Sequence, residues 1–200
     1  MDRDLRKELR RNQILDAALH LLVKKGYSET RVDDIVKASG LSKGAIYWYY
    51  SSKKEIFISL IDYWVNQFSS AILEIVSEDI PASELLKRLG EFFSDSFIRD
   101  KKVYQAELEF WALSNRDAEI QEKTQTVYHN FMKLLEKIII RGIESGEFKN
   151  VDPRITALSI MINLEGIIWF TIFNVEGLSV KNYTETVLDF VIHGLKKRTA

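Results

Sequence analysis

There is no cysteine among the 200 residues, and there are only two prolines, Pro81 and Pro153. Without cysteine the chain can have no disulfide framework and no thiolate ligand for zinc, which suits a reducing cytoplasm. The two prolines stand where helices could begin, so nothing interrupts long helices elsewhere. No stretch alternates apolar and polar residues for long enough to make a convincing strand. The run Asp2-Arg3-Asp4-Leu5-Arg6-Lys7-Glu8 is charged and has no apolar segment behind it, so no signal peptide is expected. The three histidines, His20, His129 and His193, are far apart, and no H-E-x-x-H, G-x-S-x-G or P-loop pattern occurs. The reading is therefore not an enzyme, with no cofactor and no metal site; a catalytic site of scattered carboxylates is the competing alternative. The most apolar stretch, residues 155–175, follows Arg154 and contains Asn163, Glu165 and Asn174. It reads as a buried helix rather than a membrane span.

What is present is an ordinary globular composition, 46% apolar and 28% charged. The formal net charge of -1 argues at first against a nucleic-acid partner. Its distribution is uneven. Residues 1–60 carry 12 basic and 8 acidic side chains, a balance of +4, and the remaining 140 carry a balance of -5. A mildly basic first third on an acidic remainder fits a small DNA-binding head on a separate body.

Helical spacing recurs along the whole chain, giving an all-α fold of about nine helices. The first runs from Arg3 to Lys25, with Ile14, Ala17, Ala18, Leu21 and Leu22 as its apolar stripe and Gly26 as its stop. A short second helix, residues 31–39, takes Thr30 as N-cap and Asp33 as capping-box partner. Gly40 ends it, and Ser42 caps a third helix from Lys43 to Tyr50. Ser52, with Glu55, caps a long fourth over residues 53–77. Further helices are expected over 83–97, 101–113, 118–145, 153–173 and 180–197, with Asp152-Pro153 as N-cap and first helical residue of the eighth. The domain division follows: residues 1–52 form a three-helix head, and 53–200 a larger helical body for ligand binding and dimerisation.

Two short helices joined by a glycine-containing turn describe a helix-turn-helix, whose second member lies in the major groove of duplex DNA. Here that member is Lys43-Gly44-Ala45-Ile46-Tyr47-Trp48-Tyr49-Tyr50. Helix residues step about 100° around the axis. Ile46 and Tyr50 therefore share an inner face, and Tyr47, Trp48 and Tyr49 are left partly outward. Tyrosine hydroxyls suit phosphate oxygens, and an indole edge suits thymine methyls. Gly44 and Ala45 are small enough to let the backbone approach the groove, and Lys43 and Lys53 can reach phosphates at helix starts. A plain helical hairpin with aromatics at an oligomer contact is the other reading of the same pattern.

The segment Gly26-Tyr27-Ser28-Glu29-Thr30, Ile35, Ala38 through Gly44, Ile46 through Tyr50 and Lys53-Lys54-Glu55 closely resembles the DNA-binding signature of the TetR family over residues 10–60. The resemblance implies that Lys43, Gly44, Ala45, Tyr47, Trp48 and Tyr49 face DNA and that Thr30, Ser42 and Lys53 hold backbone phosphates. Arg31 stands where a second threonine is common and adds a possible phosphate contact. Tyr50 stands where phenylalanine is common, so its hydroxyl needs a partner or a route to solvent. In the body, Phe110-Trp111-Ala112-Leu113, Arg116-Asp117, Gly142, Gly146-Glu147-Phe148, Asp152-Pro153 and Leu164-Glu165-Gly166 resemble the C-terminal domain of BetI-type TetR regulators. That implies a homodimer that binds operator DNA and answers to a small-molecule effector.

Tyr104, Trp111, Phe131 and Trp169 are the candidate lining of an effector cavity, since bundle sites lie between helices; core packing is the alternative for each. Glu165, inside an apolar run, is either a structural carboxylate bonded to a neighbouring helix or a pocket acid for a cationic ligand beside Trp169. Glu107 and Glu109 read as a solvated helix face. Ile155, Leu158, Ile162, Gly166 and Trp169, with Val187, Leu188, Phe190, Val191 and Leu195, make two wide apolar helices. The resemblance assigns them to a four-helix dimer interface, with Gly166 and Gly194 permitting close approach; burial within one subunit is the alternative.

Overall fold

The computed structural model describes residues 3–173 and 176–197. Among them are nine α-helices: α1 (Arg3–Glu29), α2 (Val32–Ser39), α3 (Lys43–Tyr49), α4 (Lys53–Ser77), α5 (Ala82–Arg99), α6 (Lys102–Ser114), α7 (Ala118–Glu144), α8 (Pro153–Glu165) and α9 (Val180–Leu195). The only extended pairing among these residues is the isolated bridge between Phe148 and Lys196. The all-α expectation holds, and most helix ends fall within two residues of the positions expected.

Four local differences have physical causes. At Gly26 the backbone leaves helical geometry (φ 77°, ψ 169°), so α1 kinks where its end was expected and continues for one more turn. Arg31 rather than Thr30 caps α2, and Asp34 rather than Asp33 closes the capping box by accepting the Arg31 N–H at 2.8 Å. Glu55 accepts from the N–H and hydroxyl of Ser51, not from Ser52, while Ser52 accepts the Glu55 N–H at 3.1 Å. The eighth helix does not run unbroken to residue 173. It changes at Gly166 to a 3-10 helix over Gly166–Thr171, where the Tyr183 hydroxyl donates to the Asn163 carbonyl at 2.9 Å and fills the space that a Cβ at Gly166 would occupy. The close approach expected at Gly166 is thus made within the chain. Nothing lies within 4 Å of where a Gly194 side chain would begin.

The chain forms two compact units, Met1–Phe68 with Lys102–Thr124, and Ser69–Lys101 with Gln125–Ala200. In the first unit the α1 stripe (Ile14, Ala17, Ala18, Leu21, Leu22) is buried, as are Ile35, Ile46, Ile56, Phe57 and Leu60. Burying each isoleucine, leucine or phenylalanine among them contributes about 1.5–3 kcal/mol. Helix α6 belongs to this unit and packs on α1. Glu109 on α6 is half-buried, not part of a solvated face, and accepts the Tyr27 N–H at 3.4 Å.

The core of the second unit is built from Leu85, Leu86, Leu89, Leu135, Ile139, Phe148, Ile160, Met161, Leu188 and Ile192. Pro81 gives α5 no side-chain cap. Glu147 serves instead from far along the chain, its carboxylate accepting the Ala82 N–H at 2.8 Å, the Ser83 N–H and the Ser83 hydroxyl. An anion at a helix N-terminus satisfies both the free donors and the dipole. Two segments, Lys53–Ser77 and Pro153–Thr171, are long and apolar enough to cross a membrane by length and composition. In the first, Asp62 is paired with Lys123 and Ile56, Phe57 and Leu60 lie in the core of the first unit.

Candidate nucleic-acid interface

The geometry of α3 decides what it can do. Ser42 accepts the Ala45 N–H at 3.1 Å and starts the helix. Gly40, in the left-handed conformation at φ 68°, ends α2 and makes the tight turn that sets α3 across it. Ile46 and Tyr50 are buried at 0% and 2% exposure, while Tyr47 and Trp48 are 48% and 65% exposed. Ser42, Lys43 and Gly44 lie open, and Ala45 and Tyr49 are half-buried. The Trp48 and Tyr49 rings meet edge to face at 4.6 Å. One helix therefore presents a small-residue first turn flanked by a lysine, followed by two outward aromatics. A helix of this shape suits a groove with phosphates at its rim.

The surrounding charges fix the helix rather than cover it. Lys25 and Asp34 pair at 2.6 Å and clamp α2 to the end of α1, which holds the Asp34 carboxyl below its ordinary value. Lys43 pairs with Asp33 at 2.8 Å, and that carboxylate raises the lysine above the usual range. Lys54 pairs with Asp117 at 2.8 Å and Glu119 at 2.7 Å, and both raise it further.

Two of the residues expected at phosphates are turned inward. Thr30 is 1% exposed, and its hydroxyl donates to the Gly26 carbonyl at 2.7 Å. The Lys53 ammonium donates to the carbonyls of Tyr27 and Thr30, each at 2.9 Å, and sits 4.2 Å from the Tyr27 ring centroid. Burial lowers its pKa. It leaves one N–H of three for any outside group. Arg31 is exposed. The Tyr50 hydroxyl is buried with no hydrogen-bond partner among the described residues.

Residues 14–60 match the family profile of bacterial regulatory proteins of the tetR family. Residues 81–196, more than half of the chain, match that of the C-terminal part of BetI-type transcriptional repressors. The chain belongs to the TetR family. It is thus a helix-turn-helix, DNA-binding transcriptional regulator, and its relatives are regulators rather than enzymes. The fatty acid metabolism regulator protein of Bacillus subtilis is 26% identical over 188 residues, covering 93% of this chain and 95% of that protein. The crystal structure of the Bacillus subtilis regulator FadR in complex with stearoyl-CoA superposes with a TM-score of 0.79 at 26% identity, over 92% of this chain and 98% of that one. A putative regulator from Saccharomonospora viridis, solved with choline, superposes with a TM-score of 0.84 over 94% and 98%; at 23% identity this likeness shows the fold alone.

The structure divides the remaining candidates between the two units. Tyr104 and Trp111 lie on α6 in the first unit, the former buried and the latter half-buried. Phe131, Glu165 and Trp169 lie in the second. Phe131 packs on the core and meets Phe93 edge to face at 5.3 Å. Glu165 ends α8, with one carboxylate oxygen out of reach of solvent. Trp169 is 57% exposed and stacks on Phe173 at 5.6 Å. A cleft of about 210 Å³ between α5 and α9 is lined by Lys87, Glu91, Glu185 and Asp189 and by none of these five.

The apolar pattern of α8 and α9 splits into two faces. Ala157, Ile160, Met161 and Leu164 with Leu188, Ile192 and Leu195 are buried inside the unit. Ile155, Leu158, Ile162 and Phe190 are left 67%, 42%, 57% and 75% exposed. Leu188 and Leu195, read from sequence as interface, are core.

Proposed function

We propose that this regulator is a cytoplasmic repressor that grips a palindromic operator as a homodimer and lets go when a small apolar or cationic effector binds its body. The observation that carries the DNA half is the α3 geometry, with Ile46 and Tyr50 buried and Tyr47 and Trp48 outward. In this reading Ser42, Lys43, Gly44, Ala45, Tyr47, Trp48, Tyr49 and Arg31 meet DNA. Thr30 and Lys53 brace the α2 entry, and Lys53 offers its last N–H to a phosphate. The exposed row Ile155, Leu158, Ile162 on α8, joined by Phe190 on α9, supports the dimer. The three α8 side chains stand in one line three and four residues apart, and a second copy is the occupant an isologous contact would supply. An effector with a long apolar chain is favoured by the stearoyl-CoA complex of the Bacillus subtilis relative. Phe131, Glu165, Trp169, Tyr104 and Trp111 stay its candidate contacts.

The dimer spaces two reading helices by about 34–36 Å, one turn of DNA, and α4 runs on from the head into the body. An effector that favours a tilted α4 weakens operator binding only by its differential affinity for the two states. A coupling of about 1–3 kcal/mol corresponds to roughly 5- to 150-fold, and DNA must weaken effector binding equally. The test selects a duplex from a random pool with the purified chain, then measures the affinity for that duplex with and without stearoyl-CoA, alongside particle mass. The expected result is a dimer on a palindromic site, loosened by the acyl-CoA without loss of the dimer. Equal operator affinity in both conditions removes acyl-CoA as the effector, and an asymmetric site held by a monomer removes the homodimer.

A further inference from the structure

The family profile begins at residue 14, yet α1 begins at Arg3. The three turns between them have a charge pattern of their own. At about 100° per residue, Arg6, Lys7, Arg10 and Arg11 fall within an arc of about 140°. Asp4 and Glu8 lie on its flank, and Leu5 and Leu9 lie opposite. The same arc, continued along the helix, becomes the buried row Ile14, Ala18 and Leu21. One face of α1 is therefore apolar where it is buried in the first unit and basic in the turns before that. All the side chains from Asp4 to Arg11 are exposed.

A basic row beyond a helix-turn-helix is by itself only a solvated face. Two contacts say where this one points. The Lys7 ammonium lies 5.7 Å from the ring centroid of Trp48, the most exposed aromatic of α3, and the Arg11 guanidinium lies 5.8 Å from that of Tyr50. The row thus runs beside the outward edge of the recognition helix. Arg10 is held by a 2.9 Å hydrogen bond to Gln13, whose amide in turn donates to the Ser39 carbonyl at the end of α2. That anchors the row to the helix-turn-helix instead of leaving it free to swing.

We infer that the first three turns of α1 form a phosphate clamp, in which Arg6, Lys7 and Arg10 track the DNA backbone next to the groove that α3 enters, and Lys7 fixes the outward pose of the Trp48 indole. This rests on the DNA-reading role of α3. Neutralising a phosphate releases condensed counterions, so each contact adds close to one unit to the salt slope of binding. Such contacts position the protein without reading sequence.

The experiment compares the full chain with its R6Q/K7Q/R10Q variant on two probes, the duplex selected by the wild type and mixed-sequence duplex DNA, from low to high sodium chloride. The expected slope of log K against log salt is flatter by about five units, since the dimer loses three contacts per subunit, with both probes weakened by a similar factor and the thermal transition unchanged. The conservative K7R variant keeps the slope, as does K137Q on α7 in the second unit. A wild-type slope in the triple variant overturns the clamp, and so does a loss confined to the selected duplex. A wild type that binds neither duplex overturns the DNA reading itself, which distinguishes the two failures.

Discussion

Two of the places where the described residues leave large apolar side chains in the open differ in their chemistry. On α3, Tyr47 and Trp48 stand out on the helix that Lys43 opens, and Lys7 lies over the Trp48 ring. On α8, Ile155, Leu158 and Ile162 stand out at helical spacing, and on α9 Phe190 stands out. Exposed apolar surface of either kind is costly unless a partner covers it. Aromatics carrying hydroxyl and indole N–H groups, set among cations, fit a partially polar and anionic surface. An aliphatic row, with no hydroxyl or N–H of its own to offer, fits another copy of itself. The lesson is that exposure marks a contact, whereas the chemistry at its rim says with what.

The comparison breaks most sharply at the aliphatic face. Placing a carboxylate at Ile162 puts two buried like charges across a two-fold contact. I162D is expected to convert a dimer to monomers in a mass measurement and to weaken operator binding by at least thirtyfold, about 2 kcal/mol, the scale of a hot-spot loss. Folding of the monomer itself should survive, because Ile162 is already 57% exposed in the single chain. A variant that remains a dimer moves the interface elsewhere.

A pair of substitutions two residues apart sharpens the other face. Ile46 is 0% exposed and Trp48 is 65% exposed on the same short helix. I46A should destabilise by roughly 2–5 kcal/mol as a large-to-small core change. W48A should leave the denaturation midpoint within about 0.5 kcal/mol, as surface changes do, and still cost operator affinity. If W48A unfolds the chain, the outward aromatic is structural and α3 loses its role as a reader.

How much of this was visible beforehand follows from the range of the forces involved. Helix existence, the α3 phase and the buried α1 stripe depend on neighbours three or four residues away, and the periodicity of Ile14, Ala18 and Leu21 or of Ile46 and Tyr50 carries them. The Gly40 turn and the Ser42 cap are equally local. What stayed hidden needs partners distant in sequence. Glu147 caps α5 from 65 residues away, Glu109 holds Tyr27 from 82 away, and Lys53 turns back to two carbonyls near residue 30. The wide apolar stripes of α8 and α9 concealed two faces, because helical spacing shows that a residue is apolar without showing which neighbour covers it. The five effector candidates fell into two units for the same reason: an aromatic at helical spacing carries no address.

The smallest expected effect lies on the inner side of α3. The Tyr50 hydroxyl is buried without a hydrogen-bond partner among the described residues, in a side chain only 2% exposed. An unsatisfied buried hydroxyl costs about 1–3 kcal/mol in lost hydration. Phenylalanine keeps the ring volume and the face over which Arg11 sits, and it removes the oxygen. Y50F is therefore expected to stabilise the chain by about 1 kcal/mol, seen as a higher denaturant midpoint at unchanged m-value. Operator affinity should stay within about twofold, since the ring faces away from Tyr47 and Trp48. This separates the two faces of one helix, because the inner substitution moves stability alone and the outer one moves affinity alone. A destabilised Y50F would mean that the hydroxyl holds an ordered water or another polar group, and the inner face would then owe part of its fit to a polar contact instead of to packing.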